Sequence, residues 1–159
     1  MKICGLMKLT LLDYPEKTAC TIFTAGCNFR CPFCHNASLV TRANEQEEIS
    51  EEEILSFLKK RQGLLDGVCI TGGEPLLQPD IEDFIRKVKD LGYLVKLDTN
   101  GSFPKKLKNL IEKNNVIWKK FKLEDVFNFG SFDLLNESLK QLNVSNIKLH
   151  SSISDARFI

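Results

Sequence analysis

Cys27, Cys31 and Cys34 lie within eight residues, a C-x3-C-x2-C spacing that puts three thiols on one loop. Three thiolates are one short of the four that a structural zinc or a fully protein-ligated iron–sulfur cluster takes, and an open coordination position is what a reactive metal centre needs. Zinc with His35 as fourth ligand is the blander alternative, disfavoured because the side chains of the consecutive residues Cys34 and His35 diverge. Reduced cysteines in a purely structural role are another.

Two further motifs carry polar chemistry. In Gly72-Gly-Glu-Pro75 the glycines let backbone approach a ligand closely, and the Glu74 carboxylate can accept from an ammonium group. Asp98-Thr-Asn-Gly101 combines residue types that favour a strand-ending turn. Alone, either tetrapeptide reads equally well as a turn.

The elements that must position these motifs follow from periodicity. Thr18 to Thr24 reads as a strand of β-branched and aromatic residues running into the cysteine loop. Gly67 to Thr71 is an almost wholly apolar run suited to a strand buried on both faces, and it ends at Gly72. Tyr93 to Leu97 gives a third strand, leading into Asp98. Between them, Ser50-Glu-Glu-Glu53 forms a capping box with Ile49 and Ile54 as a hydrophobic staple, opening a helix that buries Ile54, Leu55, Leu58 and Leu65. Asp80 is positioned to cap a second helix with Ile81, Phe84, Ile85, Val88 and Leu91 in phase, and Pro104 opens a third with Leu107, Leu110 and Ile111. Val116 to Trp118, Phe132 to Leu142 and Asn146 to Leu149 read more weakly as strand, helix and strand. Alternation of strand and helix implies α/β architecture: a parallel sheet with outer helices, ligands binding where the strands end. All three motifs fall on that rim.

Composition narrows the classes. The 159 residues suit one domain, 1–159, and 22 basic residues against 21 acidic give no bulk attraction to nucleic acid or anionic membrane. No apolar run approaches the roughly 18 residues of a membrane span, and no signal peptide is read at the N-terminus, so the expected compartment is cytoplasmic. Thiols there stay reduced, so the six cysteines do not read as three disulfides. Cys4, Cys20 and Cys69 are scattered and read as small apolar residues, the last two inside strands. With two histidines, no Ser-His-Asp set is visible.

The cysteine spacing with Phe33 before the third cysteine resembles the cluster loop of the radical S-adenosylmethionine superfamily, and Gly72-Gly-Glu-Pro75 is similar to its methionine-binding motif. Cys34-His-Asn36 and Leu97-Asp-Thr-Asn-Gly101 resemble activating enzymes of glycyl-radical enzymes. Gly5-Leu-x-Lys8-Leu-x-Leu-Leu-Asp13-Tyr-Pro15 and Leu64-Leu-Asp66-Gly67 narrow this to the branch serving anaerobic ribonucleoside-triphosphate reductase. The resemblance covers residues 3–115. Two departures stand out: Glu16 replaces the glycine usual after the proline, and no Met-Asp-Ile-Lys-like motif follows Val116.

The resemblance implies a partial (β/α) barrel. It also implies a [4Fe-4S] cluster on Cys27, Cys31 and Cys34, with S-adenosyl-L-methionine on the fourth iron. Phe33, His35, Gly72, Gly73, Glu74, Asp98 and Thr99 would line the cofactor, with Asp98 and Thr99 near its methionine carboxylate. By residue type alone, His35 reads as a hydrogen-bonding strut, Phe33 as packing and Asp98-Thr99 as a turn. The implied reaction is one-electron reductive cleavage to methionine and a 5′-deoxyadenosyl radical, which removes hydrogen from a glycine of the partner reductase. Implied partners are that glycyl-radical enzyme and a low-potential donor such as flavodoxin or ferredoxin. Alternatives are a radical enzyme acting on a small molecule, or a truncated metal-binding module without catalytic competence.

Overall fold

The computed structural model describes residues 1–114 and 116–120. Five strands form one sheet in sequence order: β1 (Ile3–Thr10), β2 (Ala19–Thr24), β3 (Gly67–Gly72), β4 (Leu94–Thr99) and β5 (Ile117–Lys120). β2 to β5 are parallel, and β1 pairs antiparallel with β2. The helices are α1 (Ala37–Thr41), α2 (Glu51–Lys60), α3 (Ile81–Asp90) and α4 (Pro104–Asn114), with short 3₁₀ turns at Ala43–Glu45 and Pro75–Leu77. The expected α/β architecture, a partial barrel sheet with outer helices, is what the chain adopts. The weak strand from Val116 corresponds to β5, while the helix read over 132–142 and the strand over 146–149 lie outside the described residues.

β1 and α1 are additions to the sequence reading. Ile3-Cys-Gly-Leu-Met-Lys-Leu-Thr10 has no clean alternation of apolar and polar residues, and Gly5 lacks strand preference. Pairing with β2 decides it, and an added side chain at Gly5 would sit 3.3 Å from Phe23.

Register assigns the two faces of the sheet. Cys20, Val68 and Val95 lie side by side, as do Ile22, Ile70 and Leu97. They pack with Ile54 and Leu58 of α2, Ile81, Phe84, Ile85 and Val88 of α3, and Leu107 and Leu110 of α4. Burying each of these large side chains contributes about 1.5–3 kcal/mol, which drives the helices onto this face. On the other face Thr21, Cys69 and Lys96 are neighbours, and all three are buried. The second face is polar yet shielded from water.

Local capping agrees only in part with expectation. Ser50 Oγ accepts from the Glu53 amide at 3.1 Å, fixing the start of α2. Asp80 makes no side-chain cap to α3; its Oδ2 instead pairs with the Met1 ammonium, so the capping role read from sequence is corrected. A nearby cation outcompetes neutral amides for a carboxylate. No helix among the described residues is long and apolar enough to cross a membrane.

Candidate functional site

The cysteine loop begins where β2 ends. Thr24 is in register with Gly72, so the strand ends carrying the first two motifs lie at one height. Gly73 N–H donates to Thr24 O and Glu74 N–H to Gly26 O, both at 2.8 Å. The contact has no room for a side chain: a Cβ on Gly73 would lie 2.0 Å from Gly26 O. From the far end of the loop, Asn36 Nδ2 donates to Gly72 O at 3.0 Å. In the Cys34-His35-Asn36 run the strut is therefore Asn36, while His35 is exposed to solvent.

Glu74 caps the 3₁₀ turn at Pro75–Leu77 with its own side chain. It is fully buried; Oε1 accepts from Leu76 N–H at 2.9 Å and Thr99 Oγ1 at 2.8 Å, and Oε2 from Asn100 N–H at 2.6 Å. Burial raises its pKa above the ordinary glutamate value, opposed by these three donors and by Lys106. Its side chain ties the second motif to the third.

Asn100 carries that tie onward to the first. Its Nδ2 donates to Asn28 Oδ1 at 2.9 Å and lies 3.7 Å from Cys27 Sγ, which also accepts from Phe29 N–H at 3.3 Å. Ser102 donates to Asn100 Oδ1 from both N–H (2.9 Å) and Oγ (2.6 Å). Asn100 was not among the residues singled out from sequence. Its place between Thr99 and Gly101 was the available signal.

Cys27, Cys31 and Cys34 are all free and half-buried. Burial, then the neighbouring Cys27 and Cys34, raises the Cys31 pKa. Among the described residues no three His, Cys, Asp or Glu side chains converge closely enough to hold a single metal ion. The donor set fits an iron–sulfur cluster: three accessible soft donors on one loop, with N–H groups already directed at one sulfur. Phe33 is 72% exposed, so its ring is free to lie against a bound group and packs under nothing.

Asp98 and Thr99 occupy the end of β4, on opposite faces of the strand, and both are buried. Asp98 Oδ1 accepts from Lys96 Nζ at 2.5 Å and Oδ2 from the Cys69 thiol at 3.4 Å, while Thr99 Oγ1 is committed to Glu74. Lys96 Nζ also lies 3.6 Å from Cys69 Sγ. Burial first, then Asp98, raises the Cys69 pKa, which keeps it a thiol. Cys20, on the helix-covered face, is pushed up to about 12 by burial. Cys20 thus behaves as the small apolar residue expected, whereas Cys69 belongs to a buried polar group with Lys96 and Asp98.

Beneath this group, Asp13 Oδ2 accepts from Thr21 Oγ1 at 2.5 Å, and the Tyr14 ring covers Gly67, where a Cβ would come within 2.7 Å. Asp66 accepts from both N–H and Oγ1 of Thr18, which lowers its pKa and pins the approach to β2.

Residues 21–128 match the family described as the Radical SAM superfamily. Two proteins of Methanocaldococcus jannaschii named as glycyl-radical enzyme activating enzymes are 39% and 34% identical, each over 72% of this chain and over 46% and 42% of their own length. A GTP 3′,8-cyclase of Helicobacter pylori is 33% identical over 77% of this chain and 40% of its own. The chain spans under half the length of these relatives. The crystal structure of QueE from Escherichia coli overlays with a TM-score of 0.51 at 20% identity, covering 64% of this chain and 53% of that one, a likeness of fold.

Proposed function

The chain belongs to the Radical SAM superfamily, and from that premise we propose that it activates a glycyl-radical enzyme, with anaerobic ribonucleoside-triphosphate reductase as the partner. One observation carries the reading: Glu74 joins the Gly72-Gly-Glu-Pro75 loop to Thr99 and Asn100, and Asn100 reaches Cys27, so the three motifs form one bonded rim.

Cys27, Cys31 and Cys34 would hold a [4Fe-4S] cluster and leave one iron for the amino and carboxylate groups of S-adenosylmethionine. When bound, the cluster supplies one electron for cleavage of the sulfonium C–S bond. The protein's own contribution is placement. Gly72 and Gly73, lacking side chains, let the second loop pack directly against the cysteine loop, and Glu74 sets the distance between the second and third motifs. The exposed Phe33 offers an apolar face to the adenine, and its backbone lies beside Cys34. Asp98, held by Lys96 and Cys69, contributes a carboxylate whose charge is matched from below.

Similarity to GTP 3′,8-cyclases keeps a second reading in play, a radical enzyme acting on a small molecule. Anaerobic reconstitution with iron and sulfide, dithionite reduction and addition of S-adenosylmethionine should give a [4Fe-4S] electron paramagnetic resonance signal and 5′-deoxyadenosine. Absence of both would sink both readings. With added anaerobic reductase, a glycyl-radical doublet supports the activase; cofactor cleavage without a partner radical rejects it.

A further inference from the structure

Asn100 is fixed more tightly than a turn requires. Its Oδ1 receives two donors from Ser102, one of them a main-chain N–H, so the orientation of the carboxamide is determined by its neighbours. Nδ2 must then face the other way, toward Asn28 Oδ1 and Cys27 Sγ. Among the described residues, Cys27 alone of the three loop cysteines accepts hydrogen bonds at sulfur, from Phe29 N–H and from Asn100.

We propose that Asn100 is a positioning residue that sets the redox poise of a cluster ligated by Cys27, through its Nδ2–H···Sγ hydrogen bond. This rests on the reading of Cys27 as a cluster ligand. The physical basis is charge. Adding an electron to a thiolate-ligated cluster increases negative charge on its sulfurs, so a donor aimed at one of them stabilises the reduced form more than the oxidised form. Asn100 therefore raises the potential. Glu74, through the Asn100 N–H, and Ser102, through Oδ1, hold the donor at its distance. The carboxylate of the second motif is thereby coupled to the electronic state of the first.

The test is a potentiometric titration of the reconstituted protein and of Asn100→Leu, which keeps shape and neutrality but has no donor. At one fixed potential the reduced-to-oxidised ratio should fall about tenfold in the variant, about 59 mV for a one-electron couple. Pulsed electron paramagnetic resonance on protein labelled with ¹⁵N-asparagine should show a nitrogen coupling to the reduced cluster that Asn100→Leu lacks. An unchanged ratio at equal cluster content, or an unchanged coupling, overturns the role of Asn100. Absence of any ¹⁵N coupling in the wild type does so whatever the variant does. A wild type that takes up no iron refutes the cluster reading itself, a distinct result.

Discussion

Lys96 Nζ lies 2.5 Å from Asp98 Oδ1, on the sheet face opposite the helices, with side-chain exposures of 5% and 9%. Residues two apart on a strand share a face, so the sequence Lys96-Leu-Asp98 builds this pair within β4 itself. The Cys69 thiol on the neighbouring strand completes it.

Lys96→Met would leave the Asp98 carboxylate buried without its cation. Loss of one partner of a buried pair costs about 3–5 kcal/mol. Denaturant unfolding should show that loss, and the double variant Lys96→Met/Asp98→Asn should recover at least half of it. A single-variant loss below about 1 kcal/mol would mean the pair is effectively solvated.

Gly73→Ala tests the contact between the first two motifs. Its Cβ would lie 2.0 Å from Gly26 O, and since that atom is main chain the loops must separate. Iron incorporation should fall severalfold. Gly63→Ala is the control: Gly63 has φ +78° but open space around it, so it should cost only the left-handed strain of about 1–2 kcal/mol and leave iron uptake unchanged. Equal iron loss in both would show that the close approach is unimportant.

The raised Glu74 pKa has a signed consequence for stability. Over pH values between its unfolded and folded pKa the folded protein binds more protons than the unfolded chain. Stability therefore falls as pH rises through that window, and the contribution is fully present only below the unfolded value. Subtracting the unfolding free energy of Glu74→Gln at each pH should isolate this downward slope. A difference that is flat, or that rises with pH, contradicts the burial effect.

Cys31→Ala should abolish iron binding in the reconstituted protein, while Cys69→Ala should keep iron content at the wild-type level. The latter removes a thiol donor to Asp98 and should appear instead as a stability loss of about 1–3 kcal/mol. Comparable iron loss in both variants would refute the division of the cysteines.

Glu16 has φ 63°, the one positive value among the described non-glycine residues. Glycine adopts that conformation without the Cβ clash, so Glu16→Gly should raise stability by up to about 1 kcal/mol after its greater unfolded-state entropy is counted. A thermal unfolding midpoint that drops would show that the Glu16 side chain contributes more than its backbone costs.

The parallel strands, the three long helices and the rim motifs were legible because each rests on short-range signals: period, caps and turn residues. Ser50 and Pro104 mark helix starts in sequence and in space. What escaped depends on partners distant along the chain. β1 owes its extended form to pairing with β2, and Asp80 lost its cap to an ammonium 79 residues away. The burial of Lys96 has no local sign, because nothing near it in the chain announces that the second face is also covered. Asn100 and Glu74 were parts of recognised motifs, but the bonds joining them run between loops and have no linear signature.

The shared height of Thr24 and Gly72 divides the chain into lengths that are free to vary and lengths that are not. An extra residue in the exposed stretch around Ala43–Glu45 would leave every rim bond where it is. The same insertion within β3 or β4 would shift one motif by about 3.3 Å and turn its side chains to the opposite face. Diversification of this scaffold is therefore channelled into its crossovers, while the strands act as rulers.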